Sequence, residues 1–278
     1  MRHPFLIAAC LGLALLGAGG GQAAPERVVS INLCTDQLAL MLAAPGQLVS
    51  VSRLSQDARS SPMAKLAQSL PANSVRAEEV FLYNPDLVLA GTFTDQATLS
   101  MLRRLGVRVE VIAPAYSLED VRTRVTQMGS LLGREAEAAA LLAEFDAGLA
   151  ALEQPRGERP RAAIYAARGY SSGPASLSGA ILKAAGFYNV ATEAGLTVGG
   201  VIALERLVML EPDLVVLPTT WPGASRAEEV LQHRALKELQ RRAGSAPLTD
   251  RDWICGTPHV LRAISGLAQA RAQSDGAE

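Results

Sequence analysis

Cys34, Cys255 and His259 are the side chains of this chain with the widest chemical reach, and together they admit three kinds of chemistry. A thiol within hydrogen-bond reach of an imidazole makes a nucleophile and its base. Two thiolates and an imidazole make a site for a soft metal or haem iron. Two cysteines in an oxidising compartment make a disulfide. Other reactive signatures are missing. No Gly-x-Gly-x-x-Gly follows a strand, and no Gly-x-x-x-x-Gly-Lys phosphate loop is present. No Gly-x-Ser-x-Gly elbow occurs either. Tyr170-Ser171-Ser172-Gly173 is a Gly/Ser loop between a predicted strand and helix, but it lacks the lysine and glycine spacing of a phosphate cradle. Of the remaining histidines, His3 lies in the leader described below and His233 in an arginine-rich predicted helix.

The elements that must position these residues come in two matched sets. Residues 78–92 read EEVFLYNPDLVLAGT and residues 205–219 read ERLVMLEPDLVVLPT, with every matched pair offset by 127 positions. In each copy a short helix ends before proline, because the residue preceding proline is pushed out of helical space. A continuous apolar run then predicts a strand buried on both faces of a parallel sheet. Between the copies lies REAEAAALLAEFDAGLAALEQ, residues 134–154. Its apolar residues Leu142, Phe145, Leu149 and Leu152 recur at steps of three and four, which predicts one long helix. At about 1.5 Å per residue this rod would span roughly 31 Å.

Further strands are predicted at 28–31, 48–51, 107–112, 162–166 and 246–248. Further helices are predicted at 37–42 (capped by Thr35 or Asp36), 63–68, 96–105, 177–185 and 228–242. Leu118, Val121, Val125, Met128 and Leu132 mark the buried face of another helix, which Ser117 caps. Gly195 to Gly200 reads as flexible, and 252–259 as a loop opening the last helix.

The first 23 residues read as an export leader. Arg2 and His3 precede an apolar core from Phe5 to Leu16, and Gly21-Gln22-Ala23 offers small residues for cleavage after Ala23. Ile7-Ala8-Ala9-Cys10 has lipobox chemistry, but too few residues precede it. The expected location is the periplasm. Lys+Arg 26 against Asp+Glu 27 leaves no basic field for nucleic acid.

On these features the chain resembles the periplasmic substrate-binding proteins of ABC importers for iron–siderophores, haem and cobalamin. The resemblance covers nearly all of the chain after the leader. It rests on the leader, the strand-Ser-x-x-x-x-Thr-helix opening at 28–42, both Glu-x6-Pro-Asp-Leu-Val copies, the helix between them and the Asp252-Trp253 to Pro258 ending. It implies an α/β fold of two lobes with central sheets, 24–133 and 155–278, joined by one long helix at 134–154, with a ligand cleft between the lobes. It implies no catalysis and no cofactor, a cobalt or iron chelate as ligand, and a monomer. The partner would be an ABC permease dimer in the inner membrane, docked through Glu78 and Glu205. Without that role the two glutamates are first-turn acids, worth about 0.3–1 kcal/mol each to their helices, and Glu79 competes with Glu78.

Ligands in such folds sit beyond the carboxyl ends of the strands. Those ends carry Cys34, Thr35, Arg53, Thr92, Phe93, Tyr170, Trp221, Trp253, Cys255 and His259 as candidate ligand contacts. Aromatic surfaces in a chain with 4% aromatics suit a large, partly apolar chelate. Relatives that bind bare zinc or manganese use several histidines, and this chain has too few, so no metal site is expected. His259 could fill an axial position of cobalt or iron, or simply cap its helix. For Cys34 and Cys255 a disulfide stapling the lobes ranks first, free thiols second and metal ligands third. The loops at 72–77 and 198–203 lack the tryptophans that the best-known cobalamin binders place there. The competing functions are an exported α/β enzyme with a Cys34/His259 site and a bare-metal-ion binder.

Overall fold

The two Asp-Leu-Val runs become interior strands of two parallel sheets. The computed structural model describes residues 23–154, 157–219, 223 and 225–275, so residues 1–22 of the leader lie outside the described residues. The first lobe takes β1 (Val28–Ser30), α1 (Leu33–Leu42), β2 (Leu48–Ser52), α2 (Ala64–Ala67), β3 (Ala72–Asn73), α3 (Ala77–Leu82), β4 (Leu87–Gly91), α4 (Gln96–Arg104) and β5 (Val109–Ile112). Its sheet order is β3-β2-β1-β4-β5. Two helices follow, α5 (Leu118–Leu132) and α6 (Glu135–Ala151). The second lobe takes β6 (Arg161–Ile164), β7 (Tyr170–Ser172), α7 (Leu177–Ala184), β8 (Tyr188–Asn189), β9 (Gly199–Val201), α8 (Leu204–Met209), β10 (Leu214–Pro218), α9 (Arg234–Ala243), β11 (Ser245–Leu248), α10 (Asp250–Trp253) and α11 (Val260–Asp275). Its sheet order is β11-β10-β6-β8, and β7 and β9 form a separate antiparallel ribbon. Every pairing inside the two larger sheets is parallel, so each sheet gathers its carboxyl ends along one edge.

Both faces of each sheet are covered, which is why the strands read as unbroken apolar runs. Val28, Leu87 and Leu89 pack towards α1, α5 and α6, while Val29, Val88 and Ala90 pack towards α3 and α4. In the second lobe Ile164, Leu214 and Val216 face α7, α11, α5 and α6, and Ala163, Tyr165 and Val215 face α8 and α9.

The helix between the lobes is shorter than its periodicity suggests and is not alone. α6 has 17 residues and is capped by Leu152. Gly133, at φ 67 in the left-handed region, ends α5 and reverses the chain, so α5 and α6 run antiparallel. Gly129 lies against Ala138 at the turn end, and Arg122 pairs with Asp146 at 2.7 Å at the other. Each helix belongs to both cores: Val121 and Phe145 enter the second, and Val125, Met128, Leu132 and Ala138 enter the first. The connection is therefore two helices thick.

Other local readings change in the structure. Asn32, not Thr35 or Asp36, caps α1 by accepting from the backbone N–H groups of Cys34 and Thr35. Residues 226–232 form a three-ten run, and His233 caps α9 rather than sitting inside it. The Gly/Ser loop after β6 and the supposedly flexible 195–200 segment contain the β7–β9 ribbon. Gly199 permits it: a Cβ there would lie 2.3 Å from the Tyr170 hydroxyl.

The Pro-Asp pairs have a structural task that recurs in both lobes. Asp86 accepts from the backbone N–H of Glu26 (2.7 Å) and Arg27, just before β1. Asp213 accepts from the N–H of Arg161 (2.7 Å), at the start of β6. Arg27 in turn donates to the Tyr83 carbonyl at 2.7 Å and Arg161 to the Leu210 carbonyl at 2.7 Å, tying down the ends of α3 and α8. Asn84 (φ 49) and Glu211 (φ 45) make the matching left-handed turns. Asp86→Ala and Asp213→Ala should each cost about 1 kcal/mol in urea denaturation, the ordinary worth of a charged acceptor at a solvent-exposed site. Unchanged midpoints would show that these contacts contribute nothing.

Candidate functional site

A covalent bond fixes how the two carboxyl edges meet. Cys34, in the first turn of α1, forms a disulfide with Cys255, in the loop after α10, with Cα atoms 5.1 Å apart. Around it the lobes are in close contact. Thr257 donates to the Gln37 side-chain oxygen at 3.3 Å, and Gly256 comes so close to Ala115 that a Cβ would sit 2.1 Å from the alanine methyl. Neither thiol is free to act as a nucleophile or a soft ligand while this bond stands.

At its carboxyl edge the first lobe contributes two turns. The β4 end makes a tight loop: the Gly91 N–H donates to Thr94 Oγ1, and Thr92 donates to the Ile112 carbonyl. Phe93 is left at the tip, 84% exposed. The β2 end opens a three-ten turn that begins at Arg53, and Arg53 and Leu54 are both exposed.

A buried polar network holds that second turn. Asp36 accepts from the Ser52 N–H and from the Ser52 hydroxyl. Ser55 donates to the Ser52 carbonyl, Ser30 shares a hydrogen bond with Thr35, and Asn73 donates to the Ser30 carbonyl and to Ser50. Burial pushes the Asp36 carboxyl up to about 7, against the serine hydrogen bonds that favour its charged form. Sequence reading missed this network. Its signal was the run of serines at 30, 50, 52 and 55 among strand residues otherwise apolar.

The second lobe contributes the turn between β6 and the ribbon. Arg168 stands there with φ 56, followed by Gly169 with φ 74. The turn is pinned by hydrogen bonds from the Gly169 N–H to Ala166 and from the Ile202 N–H to Gly169. A non-glycine residue held in the left-handed region by its surroundings is a common mark of a working surface. Arg168 is exposed on it, and Tyr170, Val198 and Val201 present further exposed apolar surface on and beside the ribbon. Ile254, beside the disulfide, is exposed as well.

Other candidate residues sit elsewhere. Thr35 is buried, its hydroxyl donating to the Asn32 carbonyl. Trp253 is buried in the second core. Trp221 lies outside the described residues. His259 is half-buried and its Nε2 is sealed from solvent without a hydrogen-bond partner. Burial, reinforced by Arg262 and opposed by Asp252, lowers it to about 4, so it is neutral at physiological pH. Among the described residues no cluster of three or more His, Cys, Asp or Glu could hold a metal ion. No described helix is long and apolar enough to cross a membrane.

Glu78 and Glu205 are both exposed, on α3 and α8. Glu79 is occupied: its carboxylate accepts from the Ser74 N–H and hydroxyl, which holds it well below the usual carboxylate range.

Residues 28–242 match the family model described as "Periplasmic binding protein". A cobalamin-binding protein of Halobacterium salinarum is 30% identical over 197 residues, covering 69% of this chain and 53% of that protein. A ferric enterobactin-binding periplasmic protein of Escherichia coli is 28% identical over 188 residues, covering 62% of this chain and 59% of that one. The chain thus spans between half and two thirds of the length of these curated relatives. Among solved structures, the apo periplasmic haem-binding protein from Roseiflexus sp. superposes with a TM-score of 0.73 over 90% of this chain and 98% of its own, at 21% identity. At that identity the likeness is one of fold.

Proposed function

Because the chain belongs to the periplasmic binding protein family, we propose that it captures a metal chelate in the periplasm, a corrinoid or an iron complex, and delivers it without chemical change to an ABC permease dimer. The observation that supports this reading is the exposed apolar side chains on the loops and ribbon beyond the sheets' carboxyl ends: Phe93 and Leu54 in the first lobe, Tyr170, Val201 and Ile254 in the second. Water-exposed aromatic and aliphatic side chains at a cleft are costly unless a partly apolar ligand covers them. Arg53 and Arg168 add a positive group on each side, suited to carboxylate or phosphate groups at the rim of such a ligand. The relatives named for cobalamin and for ferric enterobactin support the class of ligand. In this reading Glu78 and Glu205 dock on basic groups of the permease, and Glu79 does not.

Export and cleavage after Ala23 belong to the same reading. From Ala24 onward the chain is tied into the first lobe: Gln47 donates to the Pro25 carbonyl, and Asp86 holds Glu26 and Arg27.

Calorimetric titration of the chain from Ala24 with cyanocobalamin, haem and a ferric hydroxamate tests the proposal. One of them should bind with sub-micromolar affinity. Phe93→Ala and Tyr170→Ala should each weaken that binding by about tenfold, the scale of a stacked aromatic contact, without moving the unfolding temperature. Silence from all three chelates, or full affinity in both variants, would defeat the assignment.

A further inference from the structure

The repeat that matches Glu78 with Glu205 also matches Leu82 with Met209. These two are among the most exposed large apolar residues of the described chain, at 84% and 79%. A single exposed leucine means little. Here the exposure recurs at the same position of both copies, and in both copies the apolar residue lies four positions after the exposed acid. Residues four apart share one face of a helix. Each lobe therefore displays an acid and an apolar side chain side by side on one short helix.

The display is held in place. Leu82 and Met209 are the last residues of α3 and α8. The next carbonyl, of Tyr83 or Leu210, is bound by Arg27 or Arg161 at 2.7 Å. The opposite side of each helix is anchored, by Ala77 and Val80 in one lobe and Leu207 in the other. Both helices lie on the sheet face away from the α5–α6 pair, so the patches occupy equivalent places on the two lobes. Their neighbours do not match: Glu79 is replaced by Arg206 in the second copy.

We propose that each lobe docks through a two-part patch, Glu78 with Leu82 and Glu205 with Met209, and that its partner is a two-fold permease offering each lobe a basic group beside an apolar socket. This rests on the transport reading above and deepens it. The acids give attraction and register. The apolar residues give the buried, water-excluded contact that makes a small interface persist.

The test separates ligand capture from docking. Leu82→Gln, Met209→Gln, the double variant and a control at another exposed leucine, Leu105→Gln, are titrated with the three chelates by calorimetry. They are then titrated against the permease complex of the source cell in lipid nanodiscs. Chelate affinity should stay within about twofold throughout. Docking should weaken roughly fivefold in each single variant and at least about twentyfold in the double one. The control should dock like the native chain, and exchange of the two side chains, Leu82→Met with Met209→Leu, should preserve docking. Native docking by the double variant, with chelate binding intact, would overturn the patch alone. Failure of the native protein to bind any chelate or to dock at all would overturn the transport reading and the patch with it.

Discussion

Reducing the Cys34–Cys255 bond is expected to lower the unfolding temperature by up to about 10–20 °C. The bond closes a sequence separation of 221 residues, and loop-closure entropy for a ring of that size corresponds to about 5 kcal/mol at most. For a chain of this length each kcal/mol moves the midpoint by about 2–4 °C. The bond also joins the two lobes next to the Gly256–Ala115 and Thr257–Gln37 contacts. Breaking it should raise the chelate dissociation constant severalfold, because a cleft of fixed width loses less freedom on binding. The check is differential scanning calorimetry with and without reductant, beside the Cys34→Ser/Cys255→Ser double variant, which leaves no odd thiol. Coincident transitions in all three samples would show that the bond constrains neither the unfolded chain nor the lobes.

The parts of this molecule legible in its sequence are those where one local rule dominates. The doubled helix-Pro-Asp-strand segments declare two α/β units, because proline punctuation and two-face burial act within a few residues. The heptad-like face of α5 is equally plain. What the pattern cannot say is that Val121 belongs to one core and Val125 to the other, since this is decided by where the second lobe comes to rest. The aspartates of the Pro-Asp pairs show the same boundary. Their type is visible, but their partners, Glu26, Arg27 and Arg161, lie about 50 to 60 residues away.

The cleft divides along similar lines. Phe93 is exposed on the loop that follows β4, a loop the strand pattern predicts. Trp253 is not exposed: α10 turns it into the second core, and its neighbour Ile254 is the exposed residue. A one-residue change of phase in a short helix exchanges the two, and no periodicity is long enough there to set it. The ribbon that carries Tyr170 escaped notice because glycines and serines carry little strand propensity. Its strands pair Tyr170 with Val201 and Ser172 with Gly199, and the Tyr170 hydroxyl comes close to Gly199, a contact with no signature in the sequence. The helical pair α5–α6 resolves differently again. Each helix was visible singly, and their union follows from Gly133 taking the left-handed turn between them.

Asp36→Asn is expected to stabilise the protein near neutral pH, in proportion to how far burial has raised the native carboxyl. Its folded value is about 7 against 3.8 for the free side chain. Between those values the folded chain holds a proton that the unfolded chain has released, so native stability falls as pH rises through this window. Below about 4 both states are protonated and above about 7 both are ionised, so the contribution is flat outside it. A difference of roughly three units corresponds to about 4 kcal/mol. A side-chain amide at this position keeps an oxygen that can accept from the Ser52 N–H and hydroxyl, as the carboxyl does. His259 works with the opposite sign: it is lowered to about 4 from 6.5, so its contribution to stability grows as pH rises between those values. The native profile therefore shows the two effects partly offsetting each other, and the difference between variant and native isolates Asp36. That difference should be near zero at about pH 4, grow steadily to about pH 7 and hold constant above it. Parallel thermal scans of the two proteins across this range measure it directly. A difference that does not vary with pH would mean that Asp36 is already ionised in the folded chain, with its charge carried by the serine hydrogen bonds alone.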